Sequence, residues 1–194
     1  MNTELELLKL IYLNPGIYVR SLARELNLGI PSVKYGLNKL IKKRLINSEK
    51  EGRNLKFYIN YKNNLIISFL YNIEYSRFLK LPKHAQDAVF DFLKILKDKP
   101  VLTLIFGSYA IGNYTKQSDL DILLIFNKMN ENIEEKAKIV AGRYNIKLEP
   151  VYLSWQEFSK KFFDKKDKFM KEIKNNKILI NGIEWWVMLE NEAT

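Results

Sequence analysis

Two aspartates, Asp119 and Asp121, open a short apolar run, and their spacing brings both carboxylates to one side of the chain. The run, Ile122 to Phe126, is short and bounded by polar residues, which favours a buried strand over a helix. Because successive side chains on a strand point to opposite faces, the two aspartates share a face, with Cα atoms about 6.6 Å apart. Two like charges beside a core are unfavourable unless a cation offsets them. The pair therefore predicts a divalent-metal site.

The neighbouring stretches predict the elements that must position this pair. An earlier apolar run, Leu102 to Phe106, ends at Gly107-Ser108, about ten residues before Asp119. Residues 130–142 carry apolar side chains at helical spacing, and residues 146–153 predict another strand. The predicted order is strand, loop, strand, helix and strand.

The last forty residues predict helices and then a hairpin. Ser154 and Glu157 have the spacing of a capping box at the start of a helix. Helices are predicted over 155–162 and 165–175. After them, Asn181-Gly182 favours a type I′ turn between two strands, and a helix from Ile183 is the alternative.

The text GSYAIGNYTKQSDLDILLIF resembles the signature of nucleotidyltransferases of the DNA polymerase beta superfamily, in particular the minimal nucleotidyltransferases. That signature is Gly-Ser, about ten residues, and Asp-x-Asp opening a strand, and the wider resemblance covers about residues 83–153. It implies an α+β nucleotidyltransferase fold, a mixed sheet flanked by helices, in a domain over residues 82–194. It also implies a nucleoside triphosphate as substrate and two Mg²⁺ ions that stabilise the attacking and leaving oxygens.

The resemblance assigns roles to individual residues. Asp119 and Asp121 are expected to be catalytic and to bind metal, since hard oxygen ligands suit Mg²⁺. Gly107 and Ser108 are expected to bind the nucleotide, because glycine lets the backbone approach the triphosphate and serine adds a hydroxyl. The family's third catalytic and metal-binding acid comes from the next long strand, where the acid in this sequence is Glu149.

The sequence departs from the family pattern at two places. The third acid is Glu rather than the commoner Asp, and Pro150 beside it predicts an edge strand or a bend. Many relatives carry a basic residue before the second glycine of the motif, where this chain has Ile111. Lys116 is then the candidate that reaches the phosphates. A degraded domain that keeps the fold without turnover is the alternative that these departures leave open.

The first half of the chain is basic. Residues 1–100 hold 18 Lys and Arg against 9 Asp and Glu, whereas residues 101–194 hold 14 against 13. This asymmetry indicates a polyanion partner, nucleic acid first, or a lysine-rich composition that only keeps the protein soluble. The chain has no cysteine, which excludes disulfides and thiolate zinc sites.

The sequence shows no signal peptide, and its longest apolar cluster, Leu65 to Leu70, is too short to span a bilayer. We therefore expect a cytoplasmic protein that has no membrane partner.

Nearly all of residues 3–60 resemble a winged helix-turn-helix domain, which we assign to residues 1–61. Three predicted helices precede two strands, over 45–49 and 55–60, that are joined by a charged tip. The third helix, about Pro31 to Lys43, is predicted to turn four residues inward: Val33, Leu37, Leu40 and Ile41.

The winged-helix resemblance implies that the third helix enters the DNA major groove and that the hairpin touches the DNA backbone. The DNA-binding candidates are Ser32, Lys34, Tyr35, Asn38, Lys39 and Lys42 on the helix, with Arg53 and Lys56 on the hairpin. A winged helix used for protein contact or dimerisation is the alternative.

Residues 62–81 predict a connecting helix. Its apolar residues recur at helical spacing: Leu65, Ile66, Phe69, Leu70 and Ile73. This stripe packs either on its own domain or on a second subunit, which would make the protein a homodimer.

The sequence thus predicts a Mg²⁺-dependent nucleotidyltransferase with a DNA-binding domain in front, which transfers a nucleoside monophosphate to a hydroxyl acceptor. The minimal-nucleotidyltransferase resemblance implies that the acceptor can be a protein, as in toxin–antitoxin pairs in which the transferase adenylylates its toxin partner. The alternative is a DNA-binding transcriptional regulator whose second domain is degraded and senses nucleotides or only dimerises.

Overall fold

The computed structural model describes residues 3–193, so Met1, Asn2 and Thr194 at the ends of the two predicted domains lie outside the described residues. The chain divides into two compact units, one up to Ile73 and one from Glu74 onward. Within the described range, no helix is both long enough and apolar enough to cross a membrane.

The first unit contains three helices and a small antiparallel sheet, and it ends within a fourth helix. The helices are α1 (Thr3–Leu13), α2 (Val19–Glu25), α3 (Ile30–Lys42) and α4 (Ile66–Phe78). The strands are β1 (Ile17–Tyr18), β2 (Ile46–Glu51) and β3 (Asn54–Ile59), in the order β1-β3-β2. The three helices and the β2–β3 hairpin confirm the predicted elements. The sequence pattern does not predict β1, because two residues are too few to show alternation.

A glycine lets α3 pack closely on α1. A Cβ at Gly36 would lie 2.5 Å from Cδ1 of Leu7, so a larger residue would force the buried Leu7 side chain to move. Gly36 is buried together with Val33, Leu37 and Leu40. The helical stripe therefore includes a residue with no side chain, which a search for apolar residues overlooks.

Two predicted inward positions of this unit are wrong. Ile41 is 38% exposed, because Gly36, Leu37 and Leu40 already fill the buried stripe and the next residue turns towards solvent. Leu65 is 67% exposed, because α4 begins one residue later, at Ile66.

The second unit contains a four-stranded sheet with helices between its strands. Its helices after α4 are α5 (Lys83–Ile95), α6 (Gly107–Ile111), α7 (Ile133–Tyr144), α8 (Trp155–Phe163), α9 (Lys168–Asn175) and α10 (Ile183–Glu192). Its strands are β4 (Leu102–Ile105), β5 (Leu120–Phe126), β6 (Leu148–Ser154) and β7 (Ile178–Asn181). The order is β6-β5-β4-β7, with β5 parallel to β6 and β4 antiparallel to both of its neighbours. The predicted mixed sheet is confirmed, and Pro150 lies in the edge strand β6, as expected.

The two faces of this sheet have different neighbours. Leu120, Ile122 and Leu124 are buried in one core cluster with residues of α5 and α7. The helices α8 and α10 contact the strands but contribute nothing to that cluster, so they cover the other face. Because side chains alternate along β5, Asp119 and Asp121 point to this second face. The sheet thus holds both aspartates on one side, at the end next to α6.

The predicted hairpin at Asn181-Gly182 is wrong, and the helical alternative is correct. Residues before this pair form β7, which pairs with β4, while Gly182 adopts a φ of 77° and caps the start of α10. The buried residues of α10 follow helical spacing: Ile183, Trp186, Val187 and Leu189. The Asn-Gly pair marks a change of chain direction. The spacing of the apolar residues after it indicates whether a strand or a helix follows.

Candidate active site

Gly107 begins α6 directly beside Asp121. Its φ is 63°, and a Cβ at this position would lie 2.2 Å from Oδ2 of Asp121. The N–H of Phe106 donates to the backbone oxygen of Asp121 at 3.1 Å, which joins the end of β4 to the start of β5. A larger residue here would force the carboxylate of Asp121 to shift, which gives the glycine a structural role in addition to its predicted role beside a triphosphate.

Parallel pairing brings the third predicted acid to the same place. Asp121 on β5 is opposite Glu149 on β6, and both side chains point to the second face of the sheet. The same register places Lys147 beside Asp119, since the N–H of Leu120 donates to the backbone oxygen of Lys147 at 2.8 Å. The three acids and one lysine are thus neighbours at one corner of the sheet.

Lys147 lies between two of these acids. Its Nζ is 3.0 Å from Oδ2 of Asp119 and 2.5 Å from Oε1 of Glu149. The hydrogen bonds to Glu149 and then to Asp119 raise the pKa of Lys147 above its usual range. No role is predicted for Lys147 from the sequence. The signal that was available is a lysine two residues before an acid on the same strand.

Asp121 is the most crowded of the acids. Burial raises the pKa of its carboxyl, and the charges of Asp119, Glu149 and Glu172 raise it further, whereas Lys147 lowers it. Glu172 comes from α9, which packs nearby through an edge-to-face contact between Phe169 and Phe106, with ring centroids 5.4 Å apart. A nearby cation stabilises the ionised form of a carboxyl group in such surroundings.

The donor set fits a hard divalent cation. Asp119 and Asp121 offer carboxylate oxygens from one face of one strand, and oxygen is the ligand that Mg²⁺ prefers. Across residues 3–193, no three His, Asp or Glu side chains converge as a ready-made metal group. The ammonium of Lys147 lies between two of the acids, Asp119 and Glu149.

The two other predicted nucleotide-binding residues lie in different places. Ser108 is half-buried in the first turn of α6, beside Gly107, and its hydroxyl makes no hydrogen bond within the described part of the chain. Lys116 is exposed in the loop between α6 and β5 and lines a cavity of about 630 Å³ together with His84, Tyr109 and Tyr114. Ser108 is therefore next in the chain to Gly107, whereas Lys116 lines a separate cavity.

In the first unit, the predicted DNA-binding residues of α3 all lie on its exposed face. Some of the cations on this surface are paired within the protein. Oε1 of Glu4 lies 3.5 Å from Nζ of Lys39, and Oε2 of Glu4 lies 2.6 Å from Nζ of Lys43. On the hairpin, Lys56 pairs with Glu51 at 2.7 Å, whereas Arg53 at the tip is exposed.

A model of the nucleotidyltransferase domain family matches residues 89–190, just over half of the chain. The chain belongs to the nucleotidyltransferase domain family. The match spans the whole four-stranded sheet and includes Gly107, Asp119, Asp121 and Glu149. The acids described above are therefore part of this nucleotidyltransferase domain.

Two curated proteins from Methanocaldococcus jannaschii are similar to this nucleotidyltransferase, and both are named as putative protein adenylyltransferases. One is 44% identical over 59 residues, which are 29% of this chain and 59% of that protein. The other is 29% identical over 80 residues, which are 39% of this chain and 80% of that protein. The chain thus spans less than two thirds of the length of the first relative.

Two solved structures are similar to parts of this chain. A crystal structure of a toxin–antitoxin with AMP-PNP is 18% identical, covers 57% of this chain and 82% of its own, and has a TM-score of 0.42. A crystal structure of a putative nucleotidyltransferase from Sulfolobus solfataricus is 23% identical, covers 45% and 78%, and has a TM-score of 0.29. The family assignment rests on the family model.

Proposed function

We propose that this protein is a metal-dependent nucleotidyltransferase that transfers a nucleoside monophosphate from a nucleoside triphosphate to a hydroxyl group. The observation that carries the proposal is the placement of Asp119 immediately before β5 and of Asp121 within it, the latter beside Gly107, in the region that the family model matches. The names of the two curated relatives support ATP as the donor and a protein hydroxyl as the acceptor.

In this proposal Asp119 and Asp121 hold Mg²⁺ and Glu149 is the third acid, with two ions as the expected number. The bound ions supply positive charge to the attacking and leaving oxygens of the reaction. The raised pKa of Asp121 supports this arrangement, because burial and neighbouring acids disfavour its charge until a cation is bound.

The reaction forms one bond and breaks one. The acceptor oxygen bonds to the α-phosphorus, the bond between that phosphorus and the α–β bridging oxygen breaks, and pyrophosphate leaves. Gly107 and Ser108 at the start of α6 hold the triphosphate, and Glu149 accepts the proton of the attacking hydroxyl. Lys116 stays a candidate nucleotide contact through the cavity that it lines with Tyr109 and Tyr114.

We also propose that residues 3–60 form a winged helix-turn-helix that binds DNA. Three helices followed by a β-hairpin, with Ser32, Lys34, Asn38 and Lys42 exposed on α3, support this proposal. Lysines on such a helix neutralise phosphates, and the polar side chains are suited to hydrogen-bond base edges.

The activity is tested by incubating the full chain with Mg²⁺ and α-labelled nucleoside triphosphates, alone and in cell extract. We expect label on a protein, strongest with ATP, and no label with a variant that combines Asp119→Ala and Asp121→Ala. Absence of transfer to every acceptor, with DNA binding intact, would favour the alternative: a DNA-binding transcriptional regulator with a degraded nucleotidyltransferase domain.

A further inference from the structure

Lys147 is placed beside the carboxylates by the backbone rather than by a chance side-chain conformation. The parallel register of β5 and β6 puts residue 147 next to Asp119, and the alternation of β6 points its side chain to the face that carries Glu149. The ammonium then contacts both carboxylates at 3.0 and 2.5 Å. A shift of one residue in this register would turn Lys147 to the opposite face, so the contact is built into the sheet.

We propose that Lys147 is the internal counter-ion of the carboxylate site: it occupies the space between Asp119 and Glu149 in the metal-free protein and is displaced when a divalent cation binds. This inference rests on the proposed function, because it takes the three acids as the metal ligands. It adds that the protein's own lysine competes with the metal, which lowers the affinity of the site for divalent cations.

Two observations support the competition. The ammonium and a metal ion need the same oxygens, since Asp119 Oδ2 and Glu149 Oε1 are both engaged by Lys147. The lysine side chain is also 66% exposed, so it can swing into solvent without breaking a packed contact. Exposed ion pairs contribute little, which makes displacement by a divalent ion feasible.

The counter-ion also explains how the acids stay together before the metal arrives. Burial and the charges of Asp119 and Glu149 disfavour the ionised form of the Asp121 carboxyl. The positive charge of Lys147 opposes this repulsion. Removal of the lysine charge should therefore have two effects. It should lower the stability of the folded protein in the absence of metal, and it should increase the affinity of the site for metal.

The test measures Mn²⁺ binding to the full chain by electron paramagnetic resonance, as a stand-in for Mg²⁺. Lys147→Met should lower the Mn²⁺ Kd by about three- to thirty-fold, the range expected when two largely exposed ion pairs no longer compete. Lys147→Arg keeps the charge and should stay near the wild-type Kd. Lys97→Met removes an exposed lysine that makes no ion pair within residues 3–193 and should leave the Kd unchanged.

A second readout uses thermal unfolding with and without Mn²⁺. In chelator, Lys147→Met should unfold at a lower temperature than the wild type, and the stabilisation by added Mn²⁺ should be larger in the variant, because a ligand that binds the native state more tightly stabilises it more.

The outcomes distinguish a failure of the counter-ion inference from a failure of the metal site itself. If Asp121→Asn abolishes Mn²⁺ binding but Lys147→Met leaves the Kd unchanged, the counter-ion inference is wrong and the metal site stands. If neither the wild type nor Lys147→Met binds Mn²⁺, the carboxylates are not a metal site, and both the proposed function and the counter-ion fail. If Lys147→Met binds Mn²⁺ more tightly, while Lys147→Arg and Lys97→Met bind it as the wild type does, the result supports both the metal site and the counter-ion inference.

Discussion

The carboxylate of Asp121 occupies the space where every residue except glycine would have its Cβ at position 107. A Cβ there would lie 2.2 Å from Oδ2 of Asp121, and the φ of 63° is itself unfavourable for other residues. The contact with Asp121 is therefore a structural reason, within the protein, for glycine at position 107. The motif and the aspartates form one unit, because the glycine sets the position of the second acid.

This contact predicts that Gly107→Ala lowers the rate of nucleotidyl transfer by about 100-fold. A shift of the carboxylate by about 1 Å can reduce the rate of a reaction by about 100-fold. Gly112→Ala is the matched control, because Gly112 has a φ of 87° but no atom within 4 Å of an added Cβ. Both variants carry the backbone cost of about 1–2 kcal/mol, and only Gly107→Ala meets the carboxylate. Equal loss of transfer in both variants would contradict the contact.

The crowding of Asp121 predicts that function and stability conflict at this residue. Asp121→Asn should raise the melting temperature of the metal-free protein, since it removes a charge that burial, Asp119 and Glu149 disfavour. A gain of about 1 kcal/mol would correspond to a rise of roughly 2–4 °C. Asp167→Asn should have the opposite effect, because Lys161 pairs with Asp167 at 2.9 Å and lowers the pKa of that carboxyl. Differential scanning calorimetry in chelator gives both values, and a lower melting temperature for Asp121→Asn would contradict the electrostatic account.

The ion pairs of Glu4 predict an increase in DNA affinity on mutation. Glu4→Gln frees Lys39 and Lys43 from their shared carboxylate and should tighten binding to duplex DNA. Lys42→Ala should weaken binding and reduce the slope of log affinity against log salt by about 1, as for loss of one phosphate contact. Fluorescence anisotropy at several salt concentrations measures both effects. A binding constant that does not depend on salt would rule out a phosphate-binding surface on α3.

A buried lysine predicts a pH dependence of stability in the second unit. Lys177 is 7% exposed, its Nζ lies 4.3 Å from the centre of the Trp186 ring, and burial lowers its pKa to about 8. Between this pKa and the unfolded value of about 10.4, the unfolded chain binds more protons than the folded chain, so the contribution of Lys177 to stability increases with pH.

Lys177→Met should lack this contribution. The free energy of unfolding should rise from about pH 7 to about pH 10 by roughly 2–3 kcal/mol more in the wild type than in the variant, as judged by urea denaturation. Lys97→Met, at an exposed position, should follow the wild-type pH curve. Parallel curves for the wild type and Lys177→Met would show that Lys177 is not held in the environment described.

The sequence predicts those parts of the site that depend on local spacing. Asp119 and Asp121 share a face because of the strand period, and Pro150 indicates an edge strand because it cannot donate a hydrogen bond. The salt bridge between Lys147 and Asp119 depends on the register between β5 and β6, which no local pattern contains. The contact of Gly107 with Asp121 likewise depends on how β4 meets β5. Tertiary register, rather than residue type, is the information that the single sequence lacks.

The errors in the fold have the same origin. Ile41 and Leu65 are apolar at helical spacing, yet they lie outside the buried stripes, because Gly36 fills part of one stripe and α4 begins after Leu65. Asn181-Gly182 has the composition of a hairpin turn, but β7 already pairs with β4, and the apolar residues that follow have a helical period. For Ile41 and for Asn181-Gly182, packing against neighbouring elements decided the outcome, whereas for Leu65 it was the residue at which the helix begins.

Nucleotidyl transfer by the Asp119–Asp121 site is tested most directly by comparing ATP labelled at the α-phosphate with ATP labelled at the γ-phosphate, with the full chain, Mg²⁺ and cell extract. The proposed chemistry moves the α-phosphorus and releases the γ-phosphorus in pyrophosphate. Relative to extract without the chain, protein should therefore gain label from the first substrate and none from the second. Asp121→Asn should abolish this gain, Gly107→Ala should reduce its rate by about 100-fold, and Gly112→Ala should retain it. A chain-dependent gain of label from γ-labelled ATP, or a gain of α-label that persists in Asp121→Asn, would contradict the account.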